Sequence, residues 1–535
     1  MTQVGVRRKT RPIYIASTKI RKCEGNNKKL MSTNETIYNY TIIWSLDSLT
    51  TELLALIFEQ LRYIDSRALG SARQVSRRFE AIVTPILFNT TCLNQRMIAP
   101  QAETYFPRGV QNMYSLTRHV EVRSDLDPVN TRRVLDRIQR LSSLKWRYVG
   151  TSPHSGFFST PLDILGPQHI KANQIRLYVE DLPLRDTDSD SHDAYLRAIP
   201  PRNLVSLKMT SPTPPLTTSL ESLKRLLLKA HRLEAFHYND RGQGTRFSFK
   251  EGERLPALKE LSLRSYDWNH SVGEVKRHWD FSRLRWLTLI DVPMFQFLSS
   301  VPYAELRQLR SLHYEDFSTH LPDRREEATR SLYMLILQIE ALHTIKISCR
   351  TNLFPINGLL RHADSLRVLS FRDFVGFGDE RQRCPTMRAE ELAVLSRKLA
   401  NLHTAELDMD VALCEPAPFL RALCDFPRLE TLTLHTQTTV LASDTQGEGS
   451  LDRDHLAATE MFSALVRGKR GRPWRRITVN VGGWKPVMVR RMGEAWRALN
   501  RQGVFAERCF VLQRDAETGE VAVREEVGVD GGGYA

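Results

Sequence analysis

Apolar residues recur along most of the chain in one short pattern, apolar-x-x-apolar-x-apolar. The last two apolar positions alternate with polar ones, which predicts a short strand with one buried face after a turn. The ten clear copies are Leu141/Leu144/Trp146, Leu204/Leu207/Met209, Leu233/Phe236/Tyr238, Leu258/Leu261/Leu263, Leu284/Leu287/Leu289, Leu309/Leu312/Tyr314, Leu342/Ile345/Ile347, Leu366/Leu369/Phe371, Leu402/Ala405/Leu407 and Leu429/Leu432/Leu434. Weaker copies are Val120/Val122, Ile175/Leu177 and Trp474/Ile477/Val479.

Stretches with helical periodicity lie between these predicted strands. They include Leu220 to Lys229, Arg330 to Ile339, Ala389 to Leu399 and His455 to Arg467. Most neighbouring copies are 24 to 36 residues apart, which leaves room for one strand and one return helix. Strand, helix and near-constant period together resemble the leucine-rich repeat family. The resemblance implies an α/β solenoid with parallel strands on its concave side and helices on its convex side.

A separate apolar stripe lies before the repeats. Leu53, Leu54, Ile57, Phe58 and Leu61 follow the spacing of one helix face, with more apolar surface than a small helical unit can bury alone. An apolar helix near one end of a chain usually docks on another surface, so this stripe predicts a partner.

Polar residues divide this region into three predicted helices. Ser48 or Thr50 can cap the first helix, and Asp65 can cap the second. Ser76 can cap the third, and we expect Pro85 to close the unit.

The same residues resemble the F-box family. The matching segments are LxxLxxELLxxIFxxL from Leu46 to Leu61, then Asp65 to Leu69, and VSRRF from Val75 to Phe79. The family usually has Pro where this chain has Thr50. The resemblance implies a three-helix module that binds a Skp-type adaptor and, through it, a cullin-based ubiquitin ligase. The adaptor-binding residues it implies are Leu46, Leu49, Thr50, Leu53, Ile57, Phe58, Leu61, Leu69, Val75 and Phe79.

The net charge of +15 is distributed unevenly. Nine Lys and Arg residues precede position 31 against one acid, Glu24, which accounts for about half of the excess. Because this segment also lacks apolar periodicity, we expect residues 1–43 to be a disordered basic tail. A nuclear-import or phosphate-binding tail and an organelle transit segment are alternatives, and Met31 is an alternative start.

A second basic cluster spans residues 467–476. Gly468, Gly471 and Pro473 predict a loop there, leading into a strand from Ile477. A solvated turn is the preferred interpretation, with a nucleic-acid site as the alternative, because no aromatic stacking platform accompanies the cluster.

The sequence contains no recognisable catalytic arrangement. It has no GxxxxGK[ST] phosphate loop, no HExxH and no GxSxG. Its seven Cys residues form no CxxC pair and no zinc spacing, so we expect reduced thiols in the cytoplasm or nucleus, no metal and no cofactor. No apolar run is long enough to cross a bilayer. We therefore expect a binding protein rather than an enzyme, with no membrane contact.

The alternation within the strands indicates which side chains point away from the core. These outward residues are the expected binding surface for a target protein, with Trp286 as a candidate anchor or, equally, a packing residue between repeats. The candidate target-binding residues are Lys145, Arg147, Arg176, Lys208, His237, Arg264, Trp286, His313 and Arg372.

The expected domain order follows from these elements. It is a disordered basic tail at 1–43, an F-box domain at 44–90, a linker at 91–115, an irregular leucine-rich-repeat solenoid at 116–482, a helix and strand cap at 483–513 and a disordered tail at 514–535. The expected function is substrate recognition in a cullin-type (SCF) ubiquitin ligase. The alternative is a nuclear repeat scaffold outside ubiquitin chemistry that contacts nucleic acid through its basic segments. Under the first interpretation, nucleic acid is not an expected partner.

Overall fold

The chain divides into two compact units, Met1–Ile86 and Leu87–Ala535. The computed structural model describes residues 46, 49–149, 159–166, 169, 175–183, 195–210, 220–239, 245–315, 324–373, 386–409, 414–436, 453–481, 508–515 and 518–527. The predicted basic tail at 1–43 and most of the predicted cap at 483–513 lie outside these residues.

The first unit contains three helices, α1 (Thr51–Ile64), α2 (Ser66–Ala72) and α3 (Arg77–Phe88), the last of which continues into the second unit. Three of the predicted caps are confirmed. Thr50 accepts a hydrogen bond from the amide of Leu53 (3.5 Å), and Asp65 accepts one from the amide of Arg67 (2.8 Å). Ser76 accepts one from the amide of Phe79 (3.1 Å). Ser48, the alternative first cap, lies outside the described residues.

The first unit ends at Ile86, one residue after the predicted Pro85. Helix α3 passes through Pro85 and ends at Phe88. A proline inside a helix removes one backbone hydrogen bond and costs about 3 kcal/mol. Its neighbours Val83 and Ile86 are buried, and their burial offsets this cost.

The core of the first unit lies between its helices. Leu54 and Phe58 of α1 are buried there with Leu69 of α2 and Phe79 of α3. The rings of Phe58 and Phe79 meet edge to face, with centroids 5.1 Å apart. These four side chains therefore hold the helices together.

The second unit contains one mixed sheet of sixteen described strands, which lie side by side in the order of the sequence. Neighbours from β1 to β14 are parallel, whereas β14, β15 and β16 are antiparallel. The strands are β1 (Thr90–Cys92), β2 (His119–Arg123), β3 (Ser143–Arg147), β4 (Arg176–Pro183), β5 (Leu204–Thr210), β6 (Ala235–Asn239), β7 (Glu260–Arg264), β8 (Trp286–Ile290), β9 (Ser311–Glu315), β10 (Thr344–Ser348), β11 (Val368–Arg372), β12 (Thr404–Met409), β13 (Thr431–Thr436), β14 (Arg476–Val481), β15 (Arg508–Arg514) and β16 (Val521–Val527).

Helices connect many of these strands. They are α4 (Gln95–Ile98), α5 (Ala102–Tyr105), α6 (Pro107–Leu116), α7 (Pro128–Arg137), α8 (Pro161–Ile164), α9 (Glu221–Lys229), α10 (Val272–His278), α11 (Met294–Ser300), α12 (Arg325–Gln338), α13 (Asn357–Leu360), α14 (Ala389–Lys398), α15 (Pro416–Cys424) and α16 (Arg453–Gly468). The four predicted helices correspond to α9, α12, α14 and α16, although α12 begins at Arg325, before the predicted start at Arg330.

The recurring apolar pattern is confirmed as a series of strands. The last two apolar residues of every copy lie on one of β2 to β14, except Ile175, which directly precedes β4. Equivalent positions of neighbouring copies lie opposite each other; Leu261 pairs in register with Leu287, and Leu263 with Leu289. All four are at most 1% exposed. Full burial of each such side chain contributes about 1.5–3 kcal/mol, so the alternation accounts for much of the stability.

Two predicted boundaries differ from the structure. Residues 91–115, expected to be a linker, contain part of β1 with α4, α5 and most of α6. Strand β1 pairs with β2 in parallel, so this segment begins the sheet. Residues 521–527, expected to be disordered, form β16 against β15. Strand β16 pairs through backbone groups, which an apolar pattern does not reveal.

Candidate functional site

The alternation along each strand places every second side chain on the face of the sheet that points away from the core. Of the nine candidate target-binding residues, Arg147, Arg176 and Trp286 are exposed. Five more are half-buried on the same face, namely Lys145, Lys208, His237, Arg264 and His313. Arg372 is buried and is treated separately below.

A groove of about 460 Å³ lies on this face across β1 to β8. It brings together three of the candidate residues, Lys145, Lys208 and Trp286. Arg147, Arg176, His237, Arg264 and His313 do not line it. The groove therefore contains only three of the nine target-binding residues that the sequence indicated.

One row of residues in register forms the middle of the groove. Tyr178, Ser206, Ala235, Glu260 and Trp286 lie opposite one another on successive strands from β4 to β8. Strands are about 4.8 Å apart, so the two aromatic residues are separated by about 19 Å along the row. The small Ser206 and Ala235 between them leave space for a ligand.

Ion pairs balance the charge at the β3 and β4 end of the groove. Lys145 Nζ lies 2.9 Å from Glu180 Oε2 and 3.9 Å from Glu121 Oε2. Arg147 Nε lies 3.2 Å from Asp181 Oδ2. The cations Lys145 and Arg147 are thus paired with acids of the neighbouring strands.

At the centre of the groove, a histidine and two lysines surround the acids Glu234 and Glu260. Glu260 Oε1 lies 2.6 Å from His237 Nε2, and this hydrogen bond lowers the pKa of Glu260. The charge of Lys208 lowers it further. Lys259 Nζ pairs with Glu234 Oε1 at 2.9 Å. Among the described residues, no carboxylate oxygen lies within ion-pair distance (4 Å) of Lys208 Nζ, which distinguishes it from Lys145 and Lys259.

Arg372 does not belong to an open binding surface, contrary to the expectation from sequence. Its side chain is 11% exposed, and its Nε and Nη2 donate to Asp408 Oδ1 at 3.0 and 2.9 Å. The other carboxylate oxygen of Asp408 accepts the amide of Asp373 (2.8 Å). Arg372 therefore ties β11 to β12.

Further polar contacts extend this buried cluster to β13. Glu406 accepts a hydrogen bond from Ser370 Oγ (2.9 Å) and contacts His435 Nε2 (2.8 Å). Burial lowers the pKa of His435, although the hydrogen bond with Glu406 opposes this. Burial also raises the pKa of Asp373 to about 6. Strands β11 to β13 are thus joined by a buried polar network.

The basic loop at 467–476 is held by contacts with its own unit. Lys469 Nζ donates to the carbonyl of Phe426 (2.6 Å) and lies 4.3 Å from the ring centroid of Trp474. Burial lowers the pKa of Lys469 to about 8. Arg472 pairs with Glu430 at 2.7 Å. These contacts favour the solvated-turn interpretation over a nucleic-acid site.

The ten candidate adaptor-binding residues of the first unit divide by burial. Phe58, Leu69 and Phe79 lie in the helical core, so their side chains are not available to a partner. Leu49 and Leu61 are half-buried. The exposed members of the set are Leu46, Thr50, Leu53, Ile57 and Val75.

Three exposed apolar residues of α1 were not in the candidate set. Leu56, Tyr63 and Ile64 are 58%, 74% and 81% exposed. Together with Leu53 and Ile57 they give the helix a broad apolar surface. Arg78 of α3 donates to the carbonyl of Leu49 (2.6 Å), which fixes the chain just before this helix.

No model of a known protein family matches the chain, and no curated protein matches it either. Within the described residues, no group of three or more His, Cys, Asp or Glu side chains could hold a metal ion. The five cysteines that the structure describes form no disulfide bond. None of the described helices is long and apolar enough to cross a membrane.

Several groove residues were absent from the candidate set. Glu121, Ser143, Tyr178 and Glu180 occupy outward positions of strands that carry apolar alternation in the sequence. The alternation along these strands is the signal that identifies them as outward residues. Lys259 precedes its strand, and only the structure brings it to the groove.

Proposed function

We propose that this chain is a substrate-recognition subunit of a cullin-type (SCF) ubiquitin ligase. In this proposal α1 to α3 form an F-box module that binds a Skp-type adaptor. The sheet of the second unit is a leucine-rich-repeat solenoid whose outward face binds a target protein. The adaptor links the chain to a cullin in the cytoplasm or nucleus.

The observation that carries the proposal is the division of apolar residues on α1. Leu54 and Phe58 are 0% and 4% exposed, whereas Leu53 and Ile57 on the next face are 48% and 43% exposed. One face therefore builds the helical core and a second apolar face stays in solvent. An exposed apolar surface of this kind is typical of a protein interface.

The order of the strands supports the role given to the second unit. Fourteen parallel strands follow one another in sequence, and each pairs with its neighbours in the chain. A repeat array of this kind presents a long row of outward side chains, suited to binding an extended partner. The groove with Trp286 and Lys208 lies on that row.

The proposed mechanism is proximity. The chain itself performs no bond chemistry in this proposal. It holds a target near a transferase carried by other subunits, which raises the effective concentration of the target's lysines.

Ile57→Asp and Leu53→Asp test the proposal. Each removes an exposed apolar side chain and adds a carboxylate that adaptor binding would have to desolvate. Loss of a central apolar contact in an interface costs about 2 kcal/mol or more, so we expect the adaptor affinity to fall at least about 30-fold. Calorimetry with a purified Skp-type adaptor would measure the change.

Thr51→Asp is the matched control. It adds the same charge to α1, but about 120° around the helix from Ile57. We expect it to bind the adaptor as the unchanged chain does. Unchanged affinity of Ile57→Asp and Leu53→Asp would refute the proposed docking face. Binding to nucleic acid that weakens steeply with salt would instead support the scaffold alternative.

A further inference from the structure

We propose that the edge of the sheet at which β8 to β12 begin binds an extended acidic segment of a protein through Arg285, Arg310 and Arg367. The segment carries three Asp or Glu residues at alternate positions. This inference rests on the proposed function, in which the second unit holds a target. It adds a second contact surface and the chemical class of the segment that binds there.

The residue directly before each of these strands is basic. Five residues form this basic row, namely Arg285, Arg310, His343, Arg367 and His403. Backbone hydrogen bonds place them side by side. The amide of Arg310 donates to the carbonyl of Arg285 (2.8 Å), and the amide of His343 donates to that of Arg310 (2.8 Å). The amides of Arg367 and His403 continue the ladder at 2.9 and 2.8 Å, so the basic row crosses five neighbouring strands without an acid.

Paired charges lie just beyond both ends of the basic row. The position before β7 is Lys259, whose Nζ lies 2.9 Å from Glu234 Oε1. The position before β13 is Glu430, which pairs with Arg472 at 2.7 Å. The basic row is therefore a segment of limited length on this edge.

The three arginines of the basic row have no acidic partner in the part of the chain that the structure describes. No carboxylate oxygen there lies within 4 Å of a guanidinium nitrogen of Arg285, Arg310 or Arg367. Arg367 is exposed, and Arg285 and Arg310 are half-buried. All three are therefore accessible to an anionic ligand.

The turns that lead into these strands do not neutralise the basic row. Their acids are Glu305, Glu340 and Asp364, and their exposed arginines are Arg283, Arg307 and Arg361. These charges cancel in number, and Asp280 already pairs with Arg254 at 3.3 Å. The arginines of the basic row are thus in excess, in contrast to the groove, where four glutamates face three lysines.

The positive charges of the basic row act on one another. Burial lowers the pKa of His343, and the charges of Arg310 and Arg367 lower it further. Like charges opposite each other on neighbouring strands destabilise a sheet. Carboxylates bound along the basic row would relieve this repulsion, because the planar fork of a guanidinium group matches a carboxylate.

The spacing of the three arginines fits an extended chain. Arg285 precedes β8 and Arg367 precedes β11, three strands apart, which corresponds to about 14 Å. In an extended segment every second side chain points to the same side, about 6.8 Å from the next. Three acids at alternate positions therefore span about 14 Å, the same length as the three arginines.

A protein segment fits this edge better than nucleic acid does. The first strand residues after the basic row are Trp286, Ser311, Thr344, Val368 and Thr404. Only Trp286 is aromatic, whereas proteins that bind single-stranded nucleic acid stack successive bases on aromatic side chains.

Fluorescence polarisation with the purified full-length chain tests this inference. The probe is a labelled decapeptide of alternating Glu and Ser. A decapeptide of alternating Gln and Ser is the neutral comparison, and hexathymidylate is the nucleic-acid comparison. We expect the Glu peptide to bind at least about tenfold more tightly than either, and to weaken as salt rises.

Arg285→Gln and Arg367→Gln assign the contact. Neither guanidinium group has a hydrogen bond or ion pair among the described residues, so both variants should fold normally. Each should lower the affinity for the Glu peptide at least about threefold, and the double variant about tenfold, because each removes a partly exposed ion pair.

Two matched controls remove a positive charge elsewhere. Lys259→Gln lies on the same edge, but Lys259 already pairs with Glu234. Arg225→Gln changes an exposed arginine of α9. Both should bind the Glu peptide as the unchanged chain does.

The inference is wrong if the Glu and Gln peptides bind equally well, or if the double variant keeps its affinity for the Glu peptide. An equal loss in Lys259→Gln would contradict the assignment to unpaired arginines. Tighter binding of hexathymidylate would overturn the protein class of the ligand.

Adaptor binding, measured on the same preparation, separates this inference from the proposed function. A chain that binds the adaptor but not the Glu peptide refutes only the inference. A chain that binds the Glu peptide but no adaptor refutes the ubiquitin-ligase function.

Discussion

Arg372 and Asp408 give the sharpest test of how the late strands are held together. Their side chains are 11% and 7% exposed, and two N–H groups of the guanidinium reach one carboxylate oxygen. Arg372→Met keeps the length of the side chain and removes its charge. In this variant the Asp408 carboxylate stays buried and still accepts a hydrogen bond from the amide of Asp373.

The size of the effect follows from this geometry. Removing one partner of a buried ion pair usually costs about 3–5 kcal/mol, because the other charge stays without compensation. The remaining amide contact places Arg372→Met near the lower end, at about 3 kcal/mol. Asp408→Leu should cost a similar amount, since it removes the carboxylate that accepts from both the guanidinium and that amide, while Arg372 Nη1 keeps Glu406 Oε1 at 3.9 Å. The double variant should be less unstable than the sum of the two, by about 2 kcal/mol.

Urea unfolding of the four proteins would measure these free energies, and hydrogen exchange at the amides of β11 to β13 would localise the change. Arg264→Met is the matched control, because Arg264 occupies the equivalent outward position of β7 and is not buried. We expect it to change stability by less than about 0.5 kcal/mol. An effect of Arg372→Met no larger than that of Arg264→Met would refute a structural role for the pair.

Two further predictions concern the second unit. Because burial raises the pKa of Asp373 to about 6, the folded protein binds its proton more tightly than the unfolded chain, so this group lowers stability increasingly as the pH rises from about 4 to 6. Asp373→Asn should therefore stabilise the protein by about 2 kcal/mol at pH 7 and hardly at pH 4. Denaturation at both pH values would measure this difference. Equal effects at the two pH values would contradict the raised pKa of Asp373. Gly471 has a positive φ of 85°, and a Cβ there would clash with the carbonyl of Pro427. Gly471→Ala should lower the unfolding free energy by about 2 kcal/mol more than Gly252→Ala, which has a similar φ and open space around it; similar losses would contradict the clash.

The strands of the second unit could be predicted because burial and alternation are local. Leu261 and Leu263 are two residues apart on one strand, and their apolar character alone indicates which face is buried. Strands β1, β15 and β16 lack this clear pattern. They join the sheet through backbone pairing with a neighbour, which depends on the rest of the fold.

The candidate site could be predicted only in part. The alternation correctly placed Trp286 and Lys208 on the outward face. It also placed Arg372 there, but it could not show that Asp408, 36 residues later, neutralises and buries it. In the first unit, the helical spacing alone could not separate Phe58, which is buried against Phe79, from the exposed Ile57 beside it.

The sequence by itself determined the faces of the elements, the positions of thirteen strands and the helix caps, because each depends on residues close together in the chain. Only the tertiary structure decided which charges are paired and which are available to a ligand. Lys145 on β3 and Lys208 on β5 look alike in the sequence, since both are outward lysines of a repeat. Register with the adjoining strands gives Lys145 a carboxylate at 2.9 Å, and leaves Lys208 without one among the described residues.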